Sequence, residues 1–315
     1  PGPVGYGEGP AEKATNVANH FEFRLGDVDE GFREADEIVE REFHTKRVHQ
    51  GYIEPQAATA MWGSDGYVTI WTSTQGHFVA RDHISRLLGI PVSRVKTIAT
   101  EIGGGFGAKF GPGIEGRAAA TLAKEAGRPV KLMLTRKAEQ NTAGNRPSMV
   151  QHVKAGATKE GKLVAYEVSG YGTSGLGGGA GFTGPYVYQV PNYRTEKFNV
   201  AINAGSGRAF RAPRHPQGAF AMDSLMDELS EKIGMDSLEF RKLNDPNEIR
   251  HAEYDLGAKE IGWHRRPKVP GSGTGVRKHG IGVGSGQWGG GGGKGTKARV
   301  NICLLYTSPS PRDRG

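Results

Sequence analysis

Apolar and polar residues alternate in the first half of the chain in a way that predicts strands separated by short helices. Asp27 is placed to cap a helix through Ala35, and the alternation at residues 38–43 then indicates a strand. Gly89 and Gly127 are placed to end two further helices, because glycine readily adopts the left-handed conformation that terminates a helix. These two helices are predicted at residues 78–88 and 114–126, with strands at 51–62, 67–74 and 129–135 and a buried strand at 95–100.

The second half of the chain is predicted to be richer in strands. Residues 149–158 and 162–172 are strand-like and flank a turn at 159–161, which indicates a hairpin. A long amphipathic helix is predicted at residues 217–233, and Gly234 is placed to end it.

Downstream of the long helix, the pattern indicates a second helix and then a linker. Asp236 and Glu239 form a capping-box pattern for a shorter helix through about Asn244. The tract at 267–275 is typical of a linker into a new unit that starts near Lys278. The predicted fold class is α+β, with two intertwined mixed-sheet domains.

Composition and charge argue against several classes of function. The 50 glycines follow no collagen-like period and cluster between the periodic segments, which predicts tight turns and close backbone approaches. No apolar run approaches the roughly 18 residues that a membrane span needs, so no span is expected. The formal charge is +8, but Lys and Arg are interleaved with Asp and Glu, which argues against a nucleic-acid partner.

The C-terminal residues 303–315 are interpreted as a non-native tail. The string CLLYTSPSPRD at 303–313 back-translates into a sequence that resembles a transposase sequencing adaptor, so we set the tail aside in predicting the fold. The single cysteine, Cys303, lies in this tail. The remaining chain therefore has no thiol that could hold an iron–sulfur cluster.

A glycine cluster directly after a predicted strand is the first candidate for chemistry. Residues 103–110 are GGGFGAKF, and such a run lets unblocked backbone amides approach an anion or an oxo group. A tight, solvent-exposed turn without a ligand is the plain alternative.

A dinucleotide site is a further alternative for this cluster. Gly103, Gly105 and Ala108 fit the G-x-G-x-x-A fingerprint after a strand. In that fold the helix begins within the motif, so that its N-terminus meets the pyrophosphate, whereas residues 110–113 intervene here. A helix that starts at Gly105 would favour the dinucleotide site, and one that starts only after Gly113 would argue against it.

Two further segments carry polar side chains at the ends of predicted elements. Gln75, in STQGHF at a strand end, can offer an amide donor to an oxo ligand. Arg208 and Arg211, in GRAFRAPRHPQ at 207–217, suit a phosphate group or a pterin ring system. Each side chain alone is more often an ordinary solvated group, so only the combination indicates a site.

In this order and at these separations, the three segments resemble the molybdenum-binding large subunit of the xanthine dehydrogenase/aldehyde oxidase family of molybdenum hydroxylases. The similarity extends over residues 26–302 and includes YIEPQAATA, GRPVKLMLTRKAEQNTAGNRP and GPYVYQVPN. Residues 226–244 are similar to the family's helix pair, and KHGIGVGSGQWGGGGG, from Lys278, resembles the opening of its next cofactor-binding domain. The resemblance implies a fold of the molybdopterin-binding type.

The resemblance also implies a cofactor and partners. The cofactor would be a molybdenum–pterin, in its molybdopterin or cytosine dinucleotide form, and a small-molecule substrate would be oxidised with water as the oxygen source. An iron–sulfur subunit and a flavin subunit would carry [2Fe-2S] clusters and FAD, because this chain lacks the cysteines for clusters. Gln75, Phe106 and Arg211 would lie next to the metal. The residues implied to bind the cofactor are Gln75, Gly104, Gly105, Phe106, Gly107, Ala209 and Arg211.

Three departures from the purine-oxidising members of the family concern the substrate side of the site. Phe110 stands where those members carry a Glu, Pro213 where they carry a Phe, and the Gly-rich loop around Gly179 where they carry an Arg. We therefore expect Phe110 and Pro213 to line a pocket for an aldehyde or an aromatic N-heterocycle rather than for xanthine. The family's carbon monoxide dehydrogenases use a loop cysteine that is missing here, which argues against carbon monoxide.

The expected division of the chain is a first cofactor-binding domain at 1–147, a β-rich segment with the helix pair at 148–266, and a linker with the start of a second cofactor-binding domain at 267–302. The family's catalytic Glu is expected downstream of Ile302, so no catalytic residue is expected here and the fragment alone should be inactive. A non-catalytic cofactor-binding or assembly module is the alternative. We expect a cytoplasmic location. A periplasmic location is the alternative, because the chain starts at Pro1 without a Met.

Overall fold

The computed structural model describes residues 15–176, 179–267, 269 and 271–288. Within these residues, strands and short helices alternate through the first half of the chain, and a helical region follows the last strand. The strands are β1 (Val17–Leu25), β2 (Glu37–Thr45), β3 (Ala57–Trp62), β4 (Val68–Thr72), β5 (Val95–Ala99), β6 (Val130–Met133), β7 (Ser148–Ala157), β8 (Leu163–Thr173) and β9 (Asn192–Val200). The helices are α1 (Val28–Glu34), α2 (His77–Leu88), α3 (Gly113–Ala126), α4 (Arg136–Thr142), α5 (His215–Ile233), α6 (Ser237–Asn244) and α7 (Glu248–Ile261).

The first sheet joins distant parts of the chain. Its five strands lie in the order β1-β9-β8-β7-β2. The pairs β1–β9, β7–β8 and β2–β7 are antiparallel, whereas β8–β9 is parallel. Because β1 and β2 come from early in the chain and pair with β9 and β7, the segments that we proposed as 1–147 and 148–266 are intertwined.

The second sheet is also mixed. Its four strands lie in the order β5-β4-β3-β6, with β4 and β5 parallel and β3 antiparallel to both of its neighbours. Helix α3 packs on β3 and β6, and α2 packs on β5. The predicted α+β class with intertwined mixed sheets is confirmed.

The caps and the hairpin predicted from the sequence are confirmed. Asp27 and Asp236 each accept backbone N–H groups from the first turn of the helix that follows, which satisfies donors that have no partner within the helix. The residues that end α2, α3 and α5 are Gly89, Gly127 and Gly234, all with left-handed φ. Strands β7 and β8 form the predicted antiparallel hairpin.

The long helix α5 supplies one side of the larger apolar core. It buries Ala221, Met222, Leu225, Met226 and Leu229, whose spacing of three and four residues places them on one helical face. This face packs against β2 and β7 of the first sheet. The amphipathic pattern seen in the sequence therefore belongs to the core of this sheet.

Small residues bring α3 close to the second sheet. Ala119, Ala120 and Ala123 are fully buried against that sheet, and the indole N–H of Trp62 donates to the Ala120 carbonyl at 3.0 Å. Only Gly111 and Pro112 separate the Gly-rich cluster from the start of α3 at Gly113, so this packing also restricts the position of the cluster.

One predicted strand is wrong over half its length. Residues 51–56 lie outside any strand, and β3 begins only at Ala57. Pro55 has no N–H for a strand ladder, and the N–H of Glu54 donates instead to the Gly103 carbonyl at 3.3 Å. This segment is therefore held against the Gly-rich cluster rather than in a sheet.

The strand expected at 95–100 is present as β5, but the expectation that it is buried is wrong, because it is an edge strand and only Val95 of its five residues is buried. Four elements had no prediction: β1, α4, β9 and α7. Strand β9 has no apolar alternation that could have predicted it. It is joined to its neighbours partly by ion pairs, from Arg194 to Glu22 of β1 at 3.0 Å and to Glu167 of β8 at 3.3 Å. Helix α7 buries only Tyr254, so it has no apolar stripe to reveal it.

The chain beyond the predicted linker packs back onto α5 and onto the segment between β8 and β9. The Ser285 N–H donates to Asp223 Oδ2 at 2.9 Å, and the Gln287 N–H donates to Tyr186 Oη at 2.7 Å. In the part of the chain that the structure describes, no helix is long and apolar enough to cross a membrane. The tail at 303–315 lies outside the described residues.

Replacing Arg241 with Ala should strongly destabilise the protein. Its guanidinium is fully buried and pairs with Asp223 at 3.2 Å and with Asp227 at 2.7 Å. Losing it leaves Asp223 largely buried without its cation, which should lower the free energy of unfolding by about 3–5 kcal/mol, measured by chemical denaturation. Lys242→Ala is the control: it removes an ion pair with the exposed Asp255 and should change stability by less than about 1 kcal/mol. Equal losses in the two variants would contradict the prediction.

Candidate functional site

The structure brings the three predicted segments together around residues 103–110. The Gln75 N–H donates to the Lys109 carbonyl at 2.8 Å, which joins the Gly-rich cluster to the end of β4. The Arg211 N–H donates to the Phe106 carbonyl at 2.8 Å, which joins it to the loop before α5. Segments far apart in sequence therefore meet at one place, as the combination of motifs predicted.

Neighbouring groups leave no room for side chains on the glycines of this cluster. A Cβ on Gly105 would lie 2.6 Å from Gln75 Oε1, a separation that real Cβ atoms do not reach. A Cβ on Gly107 would lie 3.2 Å from the Cβ of Ala209. The glycines are therefore packed closely between Gln75 and Ala209, with Gly105 buried and Gly107 half-buried.

Unusual backbone conformations concentrate in the same two loops. Gly104 and Gly107 have φ values of +96° and +99°, and Phe106 between them has +50°. In the facing loop, Ala212 and Arg214 have φ values of +55° and +76°. Positive φ is costly for residues that carry a Cβ, and its clustering in facing loops is typical of a functional site.

Gln75 is oriented by the backbone of the Gly-rich cluster. Its Oε1 accepts the Gly107 N–H at 2.8 Å and the Lys109 N–H at 3.4 Å. Because these amides occupy the oxygen, the Nε2 group is the part of the side chain that can donate to a ligand. The side chain is exposed, which leaves it accessible.

The loop before α5 is held by side chains that our sequence reasoning did not assign to the site. Arg146 Nη2 donates to the Arg211 carbonyl at 2.8 Å, and its guanidinium lies 4.4 Å from the centroid of the Phe210 ring. Gln50 Nε2 donates to the Ala209 carbonyl at 2.9 Å. The backbone at 209–211 is thus fixed, while the side chain of Arg211 is exposed.

Arg208, the other candidate arginine in this loop, has a structural contact. Its Nε donates to the Ala143 carbonyl at 3.1 Å, and its backbone N–H donates to the Asn145 carbonyl at 2.8 Å. These bonds tie the loop to the end of α4 and account for Arg208 without a ligand.

A buried lysine clamps the Gly-rich cluster from below. Lys109 Nζ donates to Glu54 Oε2 at 2.9 Å, to the Glu54 carbonyl at 2.8 Å and to Ser73 Oγ at 2.8 Å. The same Glu54 Oε2 accepts the Gly103 N–H at 2.9 Å. Partial burial opposes ionisation of Glu54, but the hydrogen bonds from Ser73, Lys109 and Gly103 lower its pKa overall.

Two further carboxyl groups, both fully buried, lie behind the cluster. Glu139, on α4, accepts a hydrogen bond from the Tyr52 hydroxyl and one from the Gln56 N–H at 2.7 Å. Burial raises the pKa of Glu115, in the first turn of α3, to about 7, and the charge of Glu139 adds to the shift. Our sequence reasoning did not select Glu115, although an acid beside a stripe of small residues on a helix is a usable signal.

The residues expected to face the substrate are exposed. Phe110 is 56% exposed and lies beside Gly76, whose ideal Cβ would be 3.5 Å from Phe110 Cδ1. Pro213 is exposed in the loop before α5, and nothing lies within 4 Å of a Cβ built on Gly179. That Phe110 and Pro213 line one pocket stays a prediction.

The dinucleotide alternative does not fit the structure. Helix α3 begins only at Gly113, so its N-terminus lies beyond the Gly-rich cluster instead of within it. In addition, the strands on either side of this helix, β5 and β6, are separated in the sheet by β4 and β3. A dinucleotide unit would place its two strands side by side.

Comparisons with known proteins identify the class and the family. Residues 10–245 match the family described as "Molybdopterin cofactor-binding domain". The chain is 32% identical over 240 residues to the nicotinate dehydrogenase large molybdopterin subunit of Eubacterium barkeri, covering 73% of this chain and 56% of that protein. It is 31% identical over 277 residues to the aldehyde oxidoreductase molybdenum-binding subunit PaoC of Escherichia coli K12, covering 82% of this chain and 37% of that protein.

The fold agrees with this assignment. The aldehyde oxidoreductase of Desulfovibrio gigas superposes with a TM-score of 0.71 at 31% identity, covering 80% of this chain and 31% of that one. Fold and sequence thus define a molybdopterin-binding protein. The chain belongs to the molybdenum-binding subunits of the xanthine dehydrogenase/aldehyde oxidase family. It spans about half or less of the length of these relatives.

Replacing Gly105 with Ala should loosen the cluster. The new Cβ would collide with Gln75 Oε1 and displace the acceptor of the Gly107 N–H. We expect faster hydrogen exchange of the Gly107 amide and a loss of about 1–3 kcal/mol in the free energy of unfolding. Gly257→Ala, in α7 with nothing within 4 Å of its Cβ, is the matched control and should leave the Gly107 amide unchanged. Unaltered exchange in Gly105→Ala would count against the packing described above.

Proposed function

We propose that this chain forms one wall of a molybdopterin site and that the full-length protein is a molybdenum-dependent hydroxylase. The observation that carries the proposal is the glycine backbone at Gly105 and Gly107, which Gln75 and Ala209 approach so closely that an added Cβ would force them to shift. The backbone N–H groups of the half-buried Gly104 and the exposed Phe106 suit an oxo-bearing, anionic cofactor, so the residues present fit the group. When bound, the cofactor would supply the redox centre for oxidation of a substrate with oxygen taken from water.

The proposed cofactor contacts follow from the geometry of the loops. Gln75 would donate from Nε2, because its Oε1 already accepts backbone amides. Phe106 would offer its backbone N–H and Gly107 its carbonyl, because the Phe106 carbonyl already accepts the Arg211 N–H and the Gly107 N–H is donated to Gln75 Oε1. Arg211 would direct its exposed guanidinium toward anionic groups of the pterin, since its own backbone is anchored by Arg146.

The proposed substrate is an aldehyde or an aromatic N-heterocycle. Phe110 and Pro213 are exposed and carry neither charge nor hydrogen-bonding side-chain groups, so they suit a neutral, apolar molecule better than a purine with many polar edges. The names of the relatives include a nicotinate dehydrogenase and aldehyde oxidoreductases, which cover both substrate classes, and also xanthine dehydrogenases, so the choice against xanthine rests on Phe110 and Pro213.

Partner subunits and a longer chain are part of the proposal. The relatives are named as large or molybdenum-binding subunits, which supports separate iron–sulfur and FAD subunits here. The cytosine dinucleotide form of the cofactor and the domain limits 1–147, 148–266 and 267–302 are proposed on the family resemblance. The catalytic Glu would lie in sequence that the relatives have beyond the matched region.

Expression of the full-length gene product with its neighbouring genes would test the proposal. We expect about one molybdenum per large subunit by elemental analysis, and dye-linked oxidation of aldehydes or N-heterocycles in preference to xanthine. Bound molybdopterin without turnover of any compound in the panel would favour a cofactor-binding or assembly module. A well-folded protein that never contains molybdenum would contradict the proposal.

Gln75→Ala should reduce activity or cofactor retention at least tenfold without unfolding the protein. It removes the donor to the cofactor and also the acceptor for the Gly107 and Lys109 amides. Loss of one directed hydrogen bond to a charged or oxo group is worth about 1.5–3 kcal/mol, which corresponds to this range. Gln140→Ala, an exposed glutamine on α4, is the control and should match the wild type. Equal molybdenum content and turnover in both variants would show that Gln75 does not bind the cofactor.

A further inference from the structure

A cluster of four polar side chains lies fully enclosed behind the Gly-rich cluster. Tyr52, Gln56, Glu115 and Glu139 are 2%, 4%, 1% and 0% exposed, respectively. They come from the segment before β3 and from α3 and α4, so the tertiary structure alone brings them together. Buried polar groups need hydrogen-bond partners, and here these partners are mainly one another.

The hydrogens in this cluster can be counted from one end. Tyr52 has a single hydroxyl hydrogen, and it is donated to Glu139 Oε1. Glu139 Oε2 accepts the Gln56 N–H at 2.7 Å, so this carboxylate accepts at both oxygens. The Tyr52 oxygen, having given its hydrogen away, accepts from Gln56 Nε2 at 3.3 Å.

This count leaves the Gln56 amide oxygen facing a carboxyl group. The oxygen lies 3.1 Å from both carboxyl oxygens of Glu115, and three oxygens at this distance repel unless one carries a hydrogen. Exchanging the amide oxygen and nitrogen would give Glu115 a donor. It would also turn the amide oxygen toward the Tyr52 oxygen, whose hydrogen is already bonded to Glu139. A proton on Glu115 satisfies every contact at once.

We propose that Glu115 keeps a proton in the folded protein and thereby completes a chain of donors from Glu115 through Gln56 and Tyr52 to Glu139. This chain, defined as the buried relay, supports the Gly-rich cluster from behind. The ideal Cβ of Gly104 would lie 2.9 Å from the Tyr52 Cβ, and Lys109 Nζ lies 4.4 Å from the centroid of the Tyr52 ring. Glu115 is thus a positioning residue for the site. The identity of the ligand at that site rests on the proposed function, whereas the protonation of Glu115 does not.

The charges around Glu115 agree with this protonation state. Burial is the main cause that raises its pKa to about 7, and the neighbouring charge of Glu139 raises it further. The backbone N–H of Glu115 and the more distant charges of Arg208 and Lys109 act in the opposite direction without cancelling the effect. Near Glu139, His49 Nε2 lies 3.8 Å from the carboxylate.

The sign of the pH effect follows from this direction. The ordinary pKa of Glu115 is 4.5 and the folded value is about 7, so the folded state binds the proton more tightly. The resulting stability is fully present below about pH 4.5 and is lost as the pH rises through about 7. Above that pH, the relay lacks one hydrogen and Gln56 cannot satisfy both Glu115 and Tyr52.

Glu115→Gln in the full-length protein tests the relay, because glutamine supplies a donor that does not titrate. We expect the variant to fold. The ratio of the wild-type folding constant to that of the variant should decrease on the order of a hundredfold between pH 4.5 and pH 8. The Gly107 and Lys109 amides should exchange faster in the wild type above pH 7, relative to the variant. Glu125→Gln, on the exposed side of the same helix, is the control and should give a pH curve parallel to the wild type.

Infrared spectroscopy gives an independent measurement on the wild type. A carbonyl stretch of a protonated carboxylic acid is expected at pH 6 and should be missing in Glu115→Gln but present in Glu125→Gln. Parallel pH curves for wild type and Glu115→Gln, or a spectrum without this band, would overturn the inference. Because neither measurement needs the cofactor, a protein that lacks molybdenum would count against the proposed function and leave the relay intact.

Discussion

The buried ammonium group of Lys109 is the interaction on which the site depends. Within hydrogen-bond distance it reaches both the carbonyl and the carboxylate of Glu54 and also the hydroxyl of Ser73. Since Glu54 Oε2 also accepts the Gly103 N–H, one carboxylate oxygen holds both ends of the Gly-rich cluster. A buried ammonium group is stable only when its donors are satisfied, and Lys109 Nζ has one acceptor for each of its three N–H groups.

The bonds from Lys109 and Gly103 to Glu54 explain why residues 51–56, before β3, are not part of a strand. The Glu54 backbone donates to Gly103 and accepts from Lys109, and the Tyr52 carbonyl accepts from Arg136 at 2.9 Å. Each of these bonds replaces one that a strand neighbour would have supplied. Pro55 makes the exchange inexpensive, because it has no N–H to lose. The segment therefore serves the loop and the relay behind it.

Layers of decreasing burial lead from the core to the ligand-facing surface. Glu115 and Glu139 lie deepest, Tyr52 and Lys109 form the support, and the bare backbone of the cluster covers them. Gln75 packs against Gly105, where an added Cβ would displace its side chain. Only at this last layer do exposed groups occur that a cofactor could contact. A rigid polar base under a glycine loop is one way to hold backbone amides in a fixed direction.

Local signals predicted much of the architecture because they depend on neighbouring residues alone. The caps at Asp27 and Asp236 and the glycine ends of α2, α3 and α5 follow from backbone geometry within one or two turns. Strand β9 and helix α7 were not predicted, because β9 is joined to its neighbours by cross-strand ion pairs and α7 buries a single tyrosine. Such elements leave no periodic apolar pattern to detect.

By itself, the sequence determined the α+β class, most element ends, the family and the three segments that carry the candidate site. It could do so because apolar periodicity, capping residues and ordered motifs are local properties. The tertiary structure alone decided that Gln75 fills the space beside Gly105, that Lys109 binds Glu54, and that Glu115 faces Gln56. These relations join residues separated by 30 to 60 positions, and their energies arise from burial and proton count, which exist only once the chain has folded.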